Sequence, residues 1–268
     1  LARTDWEGVQ DWTCFDNLNM VNLYAIAAYA ENENTSEEEI YLRWLQGEHM
    51  LDERLSPGQL KTCVQTVKEI MDETWPIVEK TNFVNGCLFS NDSCMHLTPE
   101  QFTFIGGTHH SLSEWDPEKK DALEMSVENI ARIIEDKEEA HVKCEKLVDR
   151  VVAGNMGLTE DAYEKMKEHF EFMRWYVRGF RLTARGYCFG RYVTEKNAAD
   201  MLVEGKTANV LLEETIHEME KYREGLLQTT FIKKYPFDAQ LNPERVAFYT
   251  NSLKRMLAQG KKVEIVED

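Results

Sequence analysis

The chain has 268 residues, of which 43% are hydrophobic and 29% charged, with a formal net charge of −17 at pH 7. That composition suits a globular chain with a sizeable core and excludes a disordered one. The charge argues against nucleic acid as a partner, because phosphate binding needs clustered Lys and Arg, and equally against an anionic membrane surface. The longest apolar run, Leu23 to Ala30, is far short of the roughly 20 residues a membrane span needs.

The acidity is spread as Glu-rich helical faces (Glu37 to Glu39, Glu135 to Glu139, Glu213 to Glu220) and reads as solvated surface. The six cysteines, Cys14, Cys63, Cys87, Cys94, Cys144 and Cys188, form no C-x-x-C pair. Scattered in this way they read as buried thiols, with Cys87 and Cys94 as the local pair able to bridge. The compartment stays open.

The first 16 residues, with "RTDWEGVQDW" inside them, have no helical period. They are expected to be a short extended piece and a polar loop. From Asn17 to Ala30, Leu18, Met20, Val21, Leu23, Tyr24, Ile26 and Ala27 cover most of a helical wheel, which predicts a helix buried on several sides. Ser36 followed by Glu39 predicts a capping box and a short helix ending near Gly47. Ser56 and Pro57 predict another start, with a helix to about Lys80 that Pro76 kinks or ends.

Residues 81–116 carry Gly86, Gly106, Gly107, Pro99, His96, His109 and His110 and no long period. They predict a long irregular segment, broken by one capped turn at Thr98, of the kind that serves function or covers a site. Asp116 predicts a cap for a helix running to about Val152, roughly 50 Å long, and Gly154 predicts its stop. Thr159 caps the next helix, which continues to about Val193. Gly179, Gly186 and Gly190 within it let neighbouring helices approach closely. Helices over about 198–227 and 242–260 follow, then a charged tail. No repeat of 34 or 40 residues occurs. The expected fold is all-α: a bundle of long antiparallel helices with a short non-helical front and one long irregular loop.

Motifs for chemistry are sparse. There is no G-x-S-x-G, no phosphate-binding Walker loop and no G-x-G-x-x-G, so no cofactor is expected. Adjacent histidines such as His109 and His110 rarely bind one ion, and no H-E-x-x-H occurs, so no metal centre is expected from that loop. Glu138 with His141 and Glu214 with His217 do have the Glu-x-x-His spacing of di-metal helical enzymes. Among 48 acidic residues and seven histidines, chance matches of this kind are common. Trp44, Trp75 and Trp175 fall on helical periods and predict core packing. Trp6, Trp12 and Trp115 fall in loops, where an indole face can carry a sugar. Arg178, Arg181 and Arg185 share one helical face and, with Arg191, are expected to pair with acidic neighbours, an anionic group being the other possible occupant.

"VNLYAIAAYAENENTSEEEIYLRWL", Val21 to Leu45, resembles the segment that follows the catalytic barrel in the α-glucuronidase family of glycoside hydrolases. In that family a buried helix bearing "NLYA" leads through a short acidic link into a capped helix that ends on Trp. Here these are Asn22 to Ala25, Glu31 to Asn34, Ser36 to Glu39 and Trp44. The resemblance covers about 45 residues and implies a mainly helical C-terminal domain over 17–268, entered from the last strand and loop of a (β/α)8 barrel over 1–16.

In such barrels the loops after the strands face the substrate. The resemblance therefore makes Asp5, Trp6, Asp11 and Trp12 candidate carbohydrate contacts, with His109, His110 and Trp115 as further candidates from the irregular loop. It implies that the catalytic carboxylates lie upstream. The chain would pack on that barrel, edge its sugar cleft and dimerise. A free-standing helical interaction module built on the helices from Pro117 to Leu227 is the competing reading, and a di-metal enzyme the third.

Overall fold

The computed structural model describes residues 18–88, 99, 104–105, 110–111, 121, 124–196, 198–203, 205–230 and 241–266. The described chain is all-α, as its periodicities require. In chain order the helices are α1 (Met20–Glu31), α2 (Glu37–Gly47), α3 (Pro57–Asp72), α4 (Thr74–Asn82), α5 (Val127–Val152), α6 (Glu160–Glu195), α7 (Ala208–Gln228) and α8 (Pro243–Val266). The described extended residues form two-residue antiparallel ladders. They are β1 (Phe83–Val84) with β2 (Cys87–Leu88), β3 (Phe104–Ile105) with β4 (His110–Ser111), and β5 (Leu202–Val203) with β6 (Lys206–Thr207).

The caps show why helices begin where they do. Ser56 accepts from the Gln59 amide while Gln59 accepts from the Ser56 amide at 2.9 Å, a complete capping box ahead of Pro57. At Ser36 only half of the expected box forms. The hydroxyl accepts from the Glu39 amide at 3.2 Å, but the Glu39 carboxylate turns to Arg43 at 2.6 Å. A charged partner one turn on outcompetes the neutral amide. Helix α5 starts at Val127, where Ser126 accepts from the Asn129 amide at 3.1 Å. The expected start at Asp116 lies outside the described residues.

Two compact units emerge: Leu1–Trp75 with Lys146–Glu171, and Pro76–Glu145 with Phe172–Asp268. Helices α5 and α6 contribute to both. In the first unit α2 and α3 bury Ile40, Trp44, Leu45, Val64, Val67 and Ile70. Helix α1 packs on α2 and buries Val21 and Ala28, but Ile26 and Tyr29 are each 44% exposed. Burial on several sides, expected from its all-round apolar wheel, does not occur among the described residues. A break at Glu73 separates α3 from α4, and Pro76 sits in the first turn of α4. Trp75, expected to pack in the core, is 61% exposed, because the face of α4 that is buried carries Ile77 and Thr81 instead.

In the second unit α6 is the central rod. Arg181 and Arg185 of α6 meet Glu138 of α5. Trp175 and Gly179 of α6 meet Gly225 and Tyr222 of α7, in antiparallel order. Gly186, Gly190 and Val193 meet Leu253, Met256 and Gly260 of α8, in parallel order. Successive helices thus alternate in direction, and α8 runs parallel to α6. Gly260 was expected to stop the last helix, yet α8 continues to Val266. The reason is contact: a Cβ on Gly260 would lie 2.1 Å from Cγ1 of Val193, so this glycine serves close packing instead of termination. The helix expected from about residue 198 begins at Ala208, after a 3-10 turn (Ala198–Asp200) and the β5–β6 ladder.

Candidate functional site

Of the residues expected to meet carbohydrate, Asp5, Trp6, Asp11, Trp12, His109 and Trp115 lie outside the described residues. The backbone of His110 pairs with Ile105 in the β3–β4 ladder. Cys94 and the Cys87 side chain also lie outside, while Cys63, Cys144 and Cys188 are buried free thiols.

The two Glu-x-x-His pairs are engaged by cations. Glu138 accepts from Arg181 at 2.6 Å and from Arg185 at 3.4 Å, and Glu214 from Lys206 at 2.7 Å. Among the described residues no group of three His, Cys, Asp or Glu side chains is placed to hold a metal ion. The arginine face meets acidic neighbours: Arg181 also reaches Glu218 at 3.4 Å, and Arg191 bonds Glu195 at 2.5 Å. Arg178 instead stands over the Trp175 ring, 5.7 Å from its centroid. His141 lies beside this cluster. Burial and the Arg181 charge hold its pKa below 6.5, against the pull of Glu145 and Glu138.

A different place gathers polar side chains around a hollow, entirely within the first unit. After α2 the chain turns at His49, whose φ is 55°. Histidine adopts this left-handed conformation more readily than branched residues do. Met50 then accepts from the Thr159 amide at 2.8 Å, Leu51 bridges Leu158, and the Asp52 amide donates to Gly157 at 3.1 Å. Gly157, at φ 91°, is pressed on Leu55 and Cys63, where a Cβ would stand 3.2 and 3.3 Å away. This pairing brings residues 48–50 against the first turns of α6.

A cavity of about 310 Å³ lies there. Leu18, Met50, Ala162 and Met166 give it an apolar floor. Glu48, His49, Thr159, Asp161, Lys165 and His169 form a polar rim.

The rim is held from two sides. Tyr24 of α1 donates its phenolic hydrogen to Glu48 at 3.2 Å. Its ring end lies so close to Gly47 that a Cβ there would be 2.1 Å from the hydroxyl oxygen. Burial, and then the Glu48 charge, raise the Tyr24 pKa above 10, so it stays a donor. On α6, Nδ1 of His169 lies 2.7 Å from the Lys165 carbonyl. A carbonyl only accepts, so Nδ1 carries a hydrogen. Its Nε2 is buried and has no hydrogen-bond partner.

Sequence reasoning passed over these rim residues. Glu48 and His49 are more than a hundred positions from Thr159, Asp161, Lys165 and His169, and none belongs to a chemical motif. The one local signal is i, i+4, i+8 spacing of Asp161, Lys165 and His169, which puts three polar groups on one helical face.

The described chain is all-helical, with a hollow of about 310 Å³ between the His49 turn and the start of α6. In comparisons with known proteins, no family model, no curated protein and no solved structure matched the chain significantly.

Proposed function

We propose that the chain is the helical, non-catalytic C-terminal part of a carbohydrate-active glycoside hydrolase of the α-glucuronidase type. It packs on a preceding catalytic barrel and edges that barrel's sugar cleft. The observation that supports this reading is the fold of Val21–Leu45. These residues form a helix, an acidic turn and a Ser36-capped second helix with wholly buried Trp44 in its last turn, the order of elements the resemblance implies, although Asn22 to Ala25 are partly exposed rather than buried. Within that arrangement the "NLYA" tyrosine has a physical task, since Tyr24 holds Glu48 at the rim of the cavity.

The test is hydrolysis of α-linked glucuronosides by the purified chain and by the whole product of its gene. The chain alone is expected to be inert and the whole product active. Turnover by the isolated chain contradicts the non-catalytic role.

A further inference from the structure

We propose that His141 and Arg178 form an acid-sensitive rung between α5 and α6. A proton on the imidazole puts two cations across the seam and drives the Arg178 guanidinium out of it. The device belongs to the fold and does not depend on the carbohydrate reading.

The seam is a ladder of charges, all within the second unit. Glu138, His141 and Glu145 follow one another at spacings of three and four along α5, which puts them on one face. Arg174, Arg178, Arg181 and Arg185 do the same along antiparallel α6. At one end Glu138 meets Arg181 at 2.6 Å and Arg185 at 3.4 Å, and Glu218 of α7 reaches Arg181 at 3.4 Å. At the other end Glu145 meets Arg174 at 3.1 Å. These end rungs join opposite charges. Between them the same order sets Arg178 level with His141. Arg178 stands over the Trp175 ring, 5.7 Å from its centroid, instead of on a carboxylate.

The middle rung is therefore mismatched, and a proton makes it more so. Nδ1 of His141 is buried, has no hydrogen-bond partner and lies 3.8 Å from Glu145, just beyond hydrogen-bond reach. An imidazolium donates from both nitrogens, so on protonation Nδ1 closes on Glu145. Burial opposes the proton, then the Arg181 charge and also Arg178, while Glu145 and Glu138 favour it. Of the two opposing arginines, Arg181 is tied to Glu138 and Glu218, whereas Arg178 is held by a ring face. The contact with a ring is the weaker hold, so Arg178 is the group that leaves. Its departure uncovers a face of Trp175, which stays packed on Tyr222, 5.5 Å away between centroids.

The test follows three NMR signals of the chain as the pH is lowered: the His141 imidazole, the Arg178 Nε–Hε and the Trp175 indole N–H. The Arg178 and Trp175 signals are expected to shift together, with the midpoint of His141. In His141→Gln, which keeps a polar side chain but cannot take the proton, both shifts are expected to vanish. In Arg178→Met the His141 midpoint is expected to rise, because coupling between two sites is reciprocal. Arg178 and Trp175 signals that stay still while His141 titrates, or that shift equally in His141→Gln, overturn the proposal. So does an unchanged His141 midpoint in Arg178→Met.

Discussion

Tyr222 of α7 lies across Gly179 of α6, so close that a Cβ on the glycine would stand 2.4 Å from the phenolic oxygen. The same hydroxyl donates to the Trp175 carbonyl at 2.9 Å. The tyrosine is wholly buried, so it has no free space to retreat into. Gly179→Ala is therefore expected to destabilise the fold by about 1–3 kcal/mol through overpacking, despite the gain of up to about 1 kcal/mol in helix propensity. Gly58→Ala, where nothing lies within 4 Å, is expected to be neutral or stabilising. Urea midpoints of the two variants make the comparison, and equal shifts would contradict close packing at Gly179.

Lys137 is a charged side chain buried in the second unit, 2% exposed. Its ammonium donates to the carbonyls of Lys80, Thr81 and Phe83, closing the end of α4 and the start of β1. Lys137→Met leaves those three acceptors without their donor and is expected to cost about 2–4 kcal/mol. Burial pushes the Lys137 pKa down to about 7 from 10.5, opposed by Asp136 and Cys188 and helped by Lys80. The unfolded chain then binds the extra proton between pH 7 and 10.5, so this group's contribution to stability is lowest below pH 7 and rises with pH across that window. The stability advantage of wild type over Lys137→Met is expected to grow from pH 7 to pH 10. An advantage that shrinks would contradict the depressed pKa.

His141 titrates below 6.5 because of its burial and of Arg181. Arg181→Met is expected to move its pKa back up, as read by NMR titration of the imidazole. A depressed histidine binds fewer protons folded than unfolded, so stability falls as pH drops below 6.5. The variant is expected to lose less over the same interval. An unchanged His141 midpoint would show that burial alone sets it.

The two serine caps differ in kind. Ser56 has its reciprocal partner in Gln59, whereas Ser36 has lost Glu39 to Arg43. Ser56→Ala and Ser36→Ala are each expected to cost about 0.5–2 kcal/mol, with Ser56→Ala the larger. Thermal midpoints in the opposite order would contradict the assignment of the complete box to Ser56.

What the sequence made legible was local. Caps at Ser36, Ser56 and Thr159 follow from hydroxyls placed before helical periods, and α6 runs within two residues of its expected end at Val193. The close approaches at Gly179, Gly186 and Gly190 were also readable, because only small residues on one face let another helix in.

What failed was long-range. The role of Gly260 depends on Val193, 67 positions away, and Trp75 lies off the face of α4 that buries Ile77 and Thr81. The exposed face of α1 escaped because an apolar wheel says nothing about whether a partner is present. The cavity escaped altogether. It is made by a bridge between Leu51 and Leu158, and no residue on its rim looks unusual until that bridge forms.

The most direct test of the functional reading is to sequence the gene upstream of the codon for Leu1. Several hundred codons of alternating strand and helix pattern, ending in a strand that runs into "RTDWEGVQDW", are the expected result. An initiation codon or a signal-peptide cleavage site directly before Leu1 would contradict it.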